Sequence, residues 1–338
     1  MAKAVKLADI AQKCNVSTVT VSKALSGQKG VSEEMREKIV SIAEELGYKT
    51  PSAIKQLKDK QSYNIGVLVE EKFLDKYDSF YWQMYQAVAT KAVSKECFTM
   101  LELISSEQEK NLVLPKLIQE NKVDGFIIIG MLSSQYLAML EKNTSLPYIY
   151  MDFYNREYNC DSVITDNYYG MFRLTNHLID NGHKEIGYVG RLLATDSITD
   201  RYFGYSKAMF ENHLEVKPEW IIEDRDEEGE LYRQGFTLPK NLPTAFACNS
   251  DMSAGVLINT LEKQGIRVPE DVSVVGFDNY IFPGTCDVEI TTYEVDIKEM
   301  ARKSVNNLLK KISGESYKKG ISIVEGKIIY KNSVKTKK

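Results

Sequence analysis

The sequence predicts an α/β protein in which a small helix-turn-helix module precedes a larger body of two doubly wound, parallel-sheet lobes. Three observations carry this prediction. Residues 6–27 place apolar side chains at helical spacing on both sides of a turn residue. From Ile65 onward, short apolar runs alternate with helical patterns in two successive series. Charge is also divided: residues 1–60 hold eleven Lys and Arg against seven Asp and Glu, net +4, while the whole chain is −4, so the remainder carries −8. A basic head on an acidic body suits a DNA-contacting module joined to a soluble sensor. At 338 residues the chain has room for two or three domains.

In the head, Leu7, Ile10 and Ala11 form one face of a first helix, with Cys14 at or near its end. Asn15 suits the turn because its short amide side chain tolerates left-handed backbone. Ser17 can cap a second helix whose Val21 and Leu25 pack inward. That leaves Thr18, Val19, Ser22 and Lys23 for a DNA groove. Gly27 and Gly30 bracket a loop, and Ser32 caps a third helix that ends at Leu46-Gly47, with Glu33 and Glu34 suited to its first turn. An ordinary three-helix bundle has the same spacing. Residues 50–62, TPSAIKQLKDKQS, offer only a short apolar stripe of Ala53, Ile54 and Leu57 after Pro51, too short to hold a helix alone in water.

In the body, IGVLV, FTMLELI, VDGFIIIG and LPYIYMD read as strands, separated by helices around WQMYQAVATKAV, NLVLPKLIQEN and QYLAMLEKN. A second series opens at DSVITDN and continues through IGYVG, PTAFAC and VSVVGF. ITTYEV, the helix IKEMARKSVNNLLKKI and ISIVEGKIIY then read as crossings between the lobes. Open α/β sheets bind ligands beyond the carboxyl ends of their strands, so any effector belongs in the crevice there.

VKLADIAQKCNVSTVTVSKALSG, followed by VSEEMREKIVSIAEELGYKT, resembles the DNA-binding headpiece of the LacI/GalR family of transcriptional regulators. GHKEIGYVG, the Arg-x-x-Gly-Tyr run at Arg201, CNSDMSAG and VPEDVSVVGFDN resemble that family's effector-binding core, in the family's order. The resemblance implies a headpiece over residues 1–50 and a hinge helix or linker over 51–62. A periplasmic-binding-protein-like core follows over 63–338, its first lobe about 63–164 and 294–322, its second about 165–293 and 323–338. It further implies a homodimer, an approximately palindromic DNA operator, and Leu57 as a wedge in the minor groove. Ile54 stands where the family has a smaller residue.

On the DNA side, Thr18 and Val19 match the family pair that varies most with operator sequence, and a Thr hydroxyl and a Val methyl suit base edges. Lys23 replaces the usual Arg and lacks its two-pronged fork. Ser17, Ser22, Ser26 and Lys29 are assigned to phosphates. On the effector side the resemblance points to Asp278 and Arg201, with Asp152, Ser250, Phe80 and Tyr81 as further candidates. Carboxylates and a guanidinium for neighbouring hydroxyls, beside flat aromatic faces, fit a sugar or oligosaccharide. Within the family, a purine or a phosphoprotein co-repressor is the alternative. One departure falls after EWIIEDRDEEG. The family has a full helix there, whereas EGELYRQGFTLPKNLP is short with two prolines, and Asp226 stands where an aromatic is common.

Other classes find less support. The three histidines, His177, His183 and His213, fall in no HExxH, and neither GxSxG nor a P-loop occurs, so no catalytic residue, cofactor or metal is assigned. His183 reads as a hydrogen-bonded turn residue. A solute-binding protein would share the two lobes but not the head, and a sugar-modifying enzyme needs a catalytic constellation. The charged run EDRDEEGE reads as a solvated loop. Cys14, Cys97, Cys160, Cys248 and Cys286 are scattered and odd in number, reading as buried small hydrophobes in a reducing compartment. With neither a leader nor a membrane-length apolar run, the expectation is a cytoplasmic repressor controlled by a small carbohydrate.

Overall fold

A computed structural model of the chain describes residues 6–26, 28, 30–46, 48, 62–74, 79–155, 161–281 and 284–337. It divides into two compact units, residues 1–62 and 63–338. The hinge segment, with Ile54 and Leu57, lies outside the described residues, as do Lys29 and Cys160.

The first unit holds three helices, α1 (Leu7–Cys14), α2 (Thr18–Leu25) and α3 (Glu33–Glu45). Asn15 ends α1 in left-handed backbone at φ +52°, and the Val16 N–H returns to the Ala11 carbonyl at 3.1 Å. Ser17 caps α2 by accepting from the Thr20 N–H at 3.1 Å. Ile10, Ala11, Cys14, Val21, Ala24, Ile39 and Ala43 form the core of this unit. Arg36 of α3 donates to the carbonyls of Ala24 and Gln28, both at 2.8 Å, satisfying acceptors at the end of α2.

The second unit contains two parallel sheets. The larger has strand order β11-β5-β4-β3-β1-β2, from β1 (Asn64–Glu70), β2 (Phe98–Ile104), β3 (Gly125–Ile129), β4 (Tyr148–Met151), β5 (Ser162–Thr165) and β11 (Ile321–Val324). The smaller has order β7-β6-β8-β9, from β6 (Ile186–Val189), β7 (Ile221–Ile222), β8 (Ala245–Cys248) and β9 (Ser273–Val275). β10 (Thr292–Glu294) pairs antiparallel with β12 (Lys327–Ile329), and single bridges tie Thr291 to Val275 and Glu294 to Asp278. β1, β3, β6, β8 and β9 are buried almost throughout, as strands covered on both faces must be.

Two sequence expectations are corrected. Ser162–Thr165, read by its pattern as opening the second series although the lobe boundary near 164 left most of it in the first, pairs with β4 and β11 and so belongs to the first sheet. The helix expected over NLVLPKLIQEN shrinks to Lys116–Gln119, preceded by a separate turn of helix at Ser106–Lys110. Leu112 is left-handed at φ +52°, and Pro115, with no N–H to donate, begins the second piece instead of continuing the first.

The Arg-x-x-Gly-Tyr run explains itself in packing. Helices Asn167–Asp180 and Asp196–Glu211 cross at Gly204, where any Cβ would collide with the Tyr168 carbonyl. Tyr205, fully buried one residue on, donates its hydroxyl to the Ile186 carbonyl at 2.8 Å. His183 is a buried link, its ring nitrogens 3.0 Å from Thr244 Oγ1 and 3.1 Å from the Lys335 carbonyl. Cys14, Cys97 and Cys248 are buried, while Cys286 is half-buried. Among the described residues no helix is long and apolar enough to cross a membrane.

Candidate effector cleft and DNA-facing helix

The carboxyl ends of both sheets face one cavity of about 360 Å³. All six effector candidates line it: Phe80, Tyr81, Asp152, Arg201, Ser250 and Asp278. Each arrives by a short route. Asp152 follows β4 and Asp278 follows β9, each fixed through its N–H, to the Val163 and Tyr293 carbonyls, both at 2.9 Å. Both adopt left-handed backbone, φ +71° and +97°, a conformation that costs a non-glycine residue free energy and gathers at functional sites. Ser250 caps the helix Asp251–Glu262 by accepting from the Ser253 N–H at 3.1 Å. Phe80 and Tyr81 open the helix Phe80–Val93, whose cap is Ser79. Tyr81 packs against Phe73 at 4.6 Å between centroids, and Phe80 faces Tyr280 of the other lobe at 6.3 Å.

Arg201 is already engaged within the protein. Its Nε donates to Asn167 Oδ1 at 2.8 Å, Nη1 to the Asn249 carbonyl at 2.5 Å, and Nη2 lies 3.0 Å from Asp278 Oδ1. The guanidinium also covers the Phe277 ring at 3.8 Å. A group so held presents its remaining N–H bonds in one orientation, which suits recognition of a fixed pattern of oxygens.

The carboxyls around it resist ionisation. Burial pushes Asp152 up to about 7, against the pull of Arg201 and with a further push from Asp278. Its Oδ1 is buried with no hydrogen-bond partner among the described residues. Burial also raises Asp278, countered by Arg201, and raises Asp251 well above the carboxylate range with Asp278 adding to the effect. Asp251 Oδ2 accepts from the Tyr280 N–H at 2.9 Å and the Thr292 hydroxyl at 3.0 Å, tying the cleft floor to β10.

The run EDRDEEGE is a solvated loop only in part: Glu223, Glu227, Glu228 and Glu230 are exposed, but Asp224 is not. Asp224 has no exposed surface, and it accepts from the Arg191 N–H (3.0 Å), Asn249 Nδ2 (2.7 Å), Ser253 Oγ (2.5 Å), and Arg225 Nε and Nη2 (3.0 and 2.8 Å). Burial opposes its ionisation, but the Arg225, Ser253 and Asn249 bonds outweigh that and hold its carboxyl below the usual range. Residues 225–231 then turn back as a hairpin, bridged between Arg225 and Leu231, with Asp226 Oδ1 accepting from the Glu230 N–H at 2.8 Å. This hairpin forms the cavity wall where the family resemblance placed a helix and an aromatic. Arg225, Asn249 and Tyr280 line the cavity and were not singled out from the sequence. Asn249 and Tyr280 flank the chosen Ser250 and Asp278 closely enough to have been found by proximity.

In the first unit Ser17, Thr18, Val19, Ser22, Lys23 and Ser26 are all exposed on or beside α2, while Val21 and Ala24 face inward. Ser26 donates its hydroxyl to the Ser22 carbonyl at 2.7 Å, so a phosphate contact from it requires that proton to turn outward. Lys29 and Leu57 lie outside the described residues.

Two family descriptions match the chain: "Bacterial regulatory proteins, lacI family" over residues 6–51, and "Periplasmic binding protein-like domain" over residues 175–334. The chain is 28% identical over 329 residues to the HTH-type transcriptional repressor PurR of Aliivibrio salmonicida, spanning 96% of this chain and 98% of that one. It is also 28% identical over 329 residues to the ribose operon repressor of Haemophilus influenzae, spanning 96% and 97%. Among solved structures, the Lac repressor dimer bound to operator and the anti-inducer ONPF superposes with a TM-score of 0.66 at 23% identity, covering 98% of this chain and all of that one. That last likeness concerns the fold alone.

Proposed function

Because this chain belongs to the LacI/GalR family of transcriptional regulators, we propose that it is a dimeric repressor whose hold on an approximately palindromic operator is set by a small saccharide between its two lobes. That it is a DNA-binding regulator with an effector site follows from the family. The saccharide is the further step. The observation that carries it is the meeting of Asp152 from one lobe with Asp278 and Arg201 from the other in a single cavity floored by aromatic rings. Carboxyls that accept, a guanidinium that donates and flat apolar faces together match a ring bearing neighbouring hydroxyls.

In this reading Thr18, Val19 and Lys23 contact base edges, Ser17, Ser22, Ser26 and Lys29 hold phosphates, and Leu57 enters the minor groove. An effector bridging both lobes favours one interlobe geometry, and the DNA affinity changes with it. Linkage then requires operator and effector to alter each other's affinity by the same factor.

Relatives named PurR support a second reading, in which the effector is a purine. Against it stands the second-lobe wall, where Asp226 stands at the place of a common aromatic and Arg225 lines the cavity. Selection from a random duplex library should return an approximate palindrome. Thermal-shift screening of the full chain against sugars, hypoxanthine and guanine then identifies the effector class, since a ligand of the native state raises its melting temperature. A shift with the nucleobases and none with sugars replaces the saccharide reading by the purine one.

A further inference from the structure

The inner cavity does not end at the six candidate residues. A second chamber of about 510 Å³ opens beside it, and Lys72, Phe73, Thr195, Arg225 and Gly229 line both. The two make one continuous cleft with Arg225 where they join. The chamber is bordered, and left open to solvent on one side, by the hairpin that begins at Arg225, by residues 191–195 after β6, and by Met131 after β3.

Its cations are all paired. Arg191 pairs with Glu223 at 2.9 Å and Glu227 at 3.5 Å, Lys72 with Glu70 at 2.8 Å, and Arg225 with Asp224 at 2.8 Å. Each cation has its carboxylate and Glu228 adds a further one, so the chamber has no surplus positive charge to attract an anion. Apolar surface comes from Met131, Leu192 and Leu193. Leu193 is 84% exposed and left-handed at φ +66°, held there by its N–H on Thr199 Oγ1 at 3.1 Å. A large apolar side chain kept in strained backbone at a cavity rim is costly for folding alone and useful for covering a ligand face.

Arg225 supplies the polar contact. Asp224 takes its Nε and Nη2, and Asp224 is itself immobilised by Asn249 and Ser253, so the guanidinium is fixed with Nη1 left for the cleft. A preorganised ion pair of zero net charge whose Nη1 amino group is not used by Asp224 recognises an uncharged oxygen at little entropic cost.

We propose that the effector is a neutral saccharide of at least two rings, the first in the inner cavity and the second in the outer chamber, with Arg225 Nη1 donating to an oxygen at or beside the glycosidic link. The proposal rests on the saccharide reading of the inner site and names its length. Sugar rings have apolar C–H faces and hydroxylated edges, which is the pattern Leu192, Leu193, Met131 and Arg225 present.

The test is calorimetric titration of the full chain with matched pairs: cellobiose and glucose, xylobiose and xylose, mannobiose and mannose, lactose and galactose. At least one disaccharide should bind about tenfold or more tightly than its monosaccharide, a difference of about 1.4 kcal/mol. Arg225→Met should collapse that ratio toward one. Because it also strips Asp224 of its cation, Met131→Trp, which fills the chamber from the opposite lobe, provides the independent variant and should do the same. A monosaccharide that binds as tightly as its disaccharide overturns the second subsite while leaving the saccharide reading standing. A ratio unmoved by both variants also overturns it. Failure of every saccharide, with or without binding of hypoxanthine or guanine, overturns both.

Discussion

Arg201 Nη2 and Asp278 Oδ1 lie 3.0 Å apart with side chains only 5% and 12% exposed, so the pair that lines the cavity is also packed into the protein. Removing Arg201 therefore does more than remove a ligand contact. Arg201→Ala strands a buried carboxylate and should cost about 3–5 kcal/mol of stability, together with the effector response. The double variant Arg201→Met with Asp278→Asn should recover much of the stability and none of the response. Denaturant melts and operator anisotropy with and without effector measure both, and a normal response in either variant removes the pair from the site.

Asp152 predicts the pH dependence. Its folded-state pKa of about 7 lies above the ordinary 3.8. Between those values the unfolded chain has released a proton that the fold retains, so stability falls as pH rises through that window and levels off above it. Asp278 and Asp251, also raised, add slopes of the same sign. Asp152→Asn should flatten the portion nearest pH 7, seen as a melting temperature that declines less between mildly acidic and neutral buffer. An unchanged slope means that Asp152 is ionised in the free protein.

Thr18 and Ser17 are adjacent and should behave differently. Thr18 is exposed and makes no bond that α2 needs, so Thr18→Ala should leave the melting temperature alone. It should lower the ratio of specific to nonspecific DNA binding by about 1–3 kcal/mol. Ser17 caps α2, so Ser17→Ala should cost about 1 kcal/mol of headpiece stability and weaken binding to all sequences alike. Competition binding with operator and scrambled duplex separates the two effects.

Gly204→Ala tests the helix crossing. Because the added Cβ meets backbone rather than a movable side chain, the two helices must separate, and a loss of about 1–3 kcal/mol or more is expected. The same change at Gly314, which has open space around it but a left-handed φ of +71°, should act through backbone strain alone. Chemical denaturation of both variants gives the comparison.

What was legible in the sequence was local. Asn15 and Ser17 reveal the turn and cap of α2 because the interactions span three or four residues. The Arg-x-x-Gly-Tyr run marks its helix because one face must be small and buried. The cleft residues were legible through the family resemblance, each at the carboxyl end of an apolar run. The helix over NLVLPKLIQEN failed because the apolar spacing outweighed Pro115 in the reading but not in the backbone.

The sequence by itself determined that a helix-turn-helix precedes two α/β lobes and that ligand-type side chains stand at their strand ends. Tertiary structure alone decided which strands Ser162–Thr165 pairs with, and that one carboxylate of EDRDEEGE, Asp224, is buried beside a cleft while its glutamates meet water. The reason is desolvation. Asp224 is stable as an ion because its neighbour Arg225 pairs with it and because Ser253 and Asn249, far off in sequence, converge on it together with the Arg191 N–H. No window of sequence contains all of those partners, and without them the charged run has every property of a surface loop.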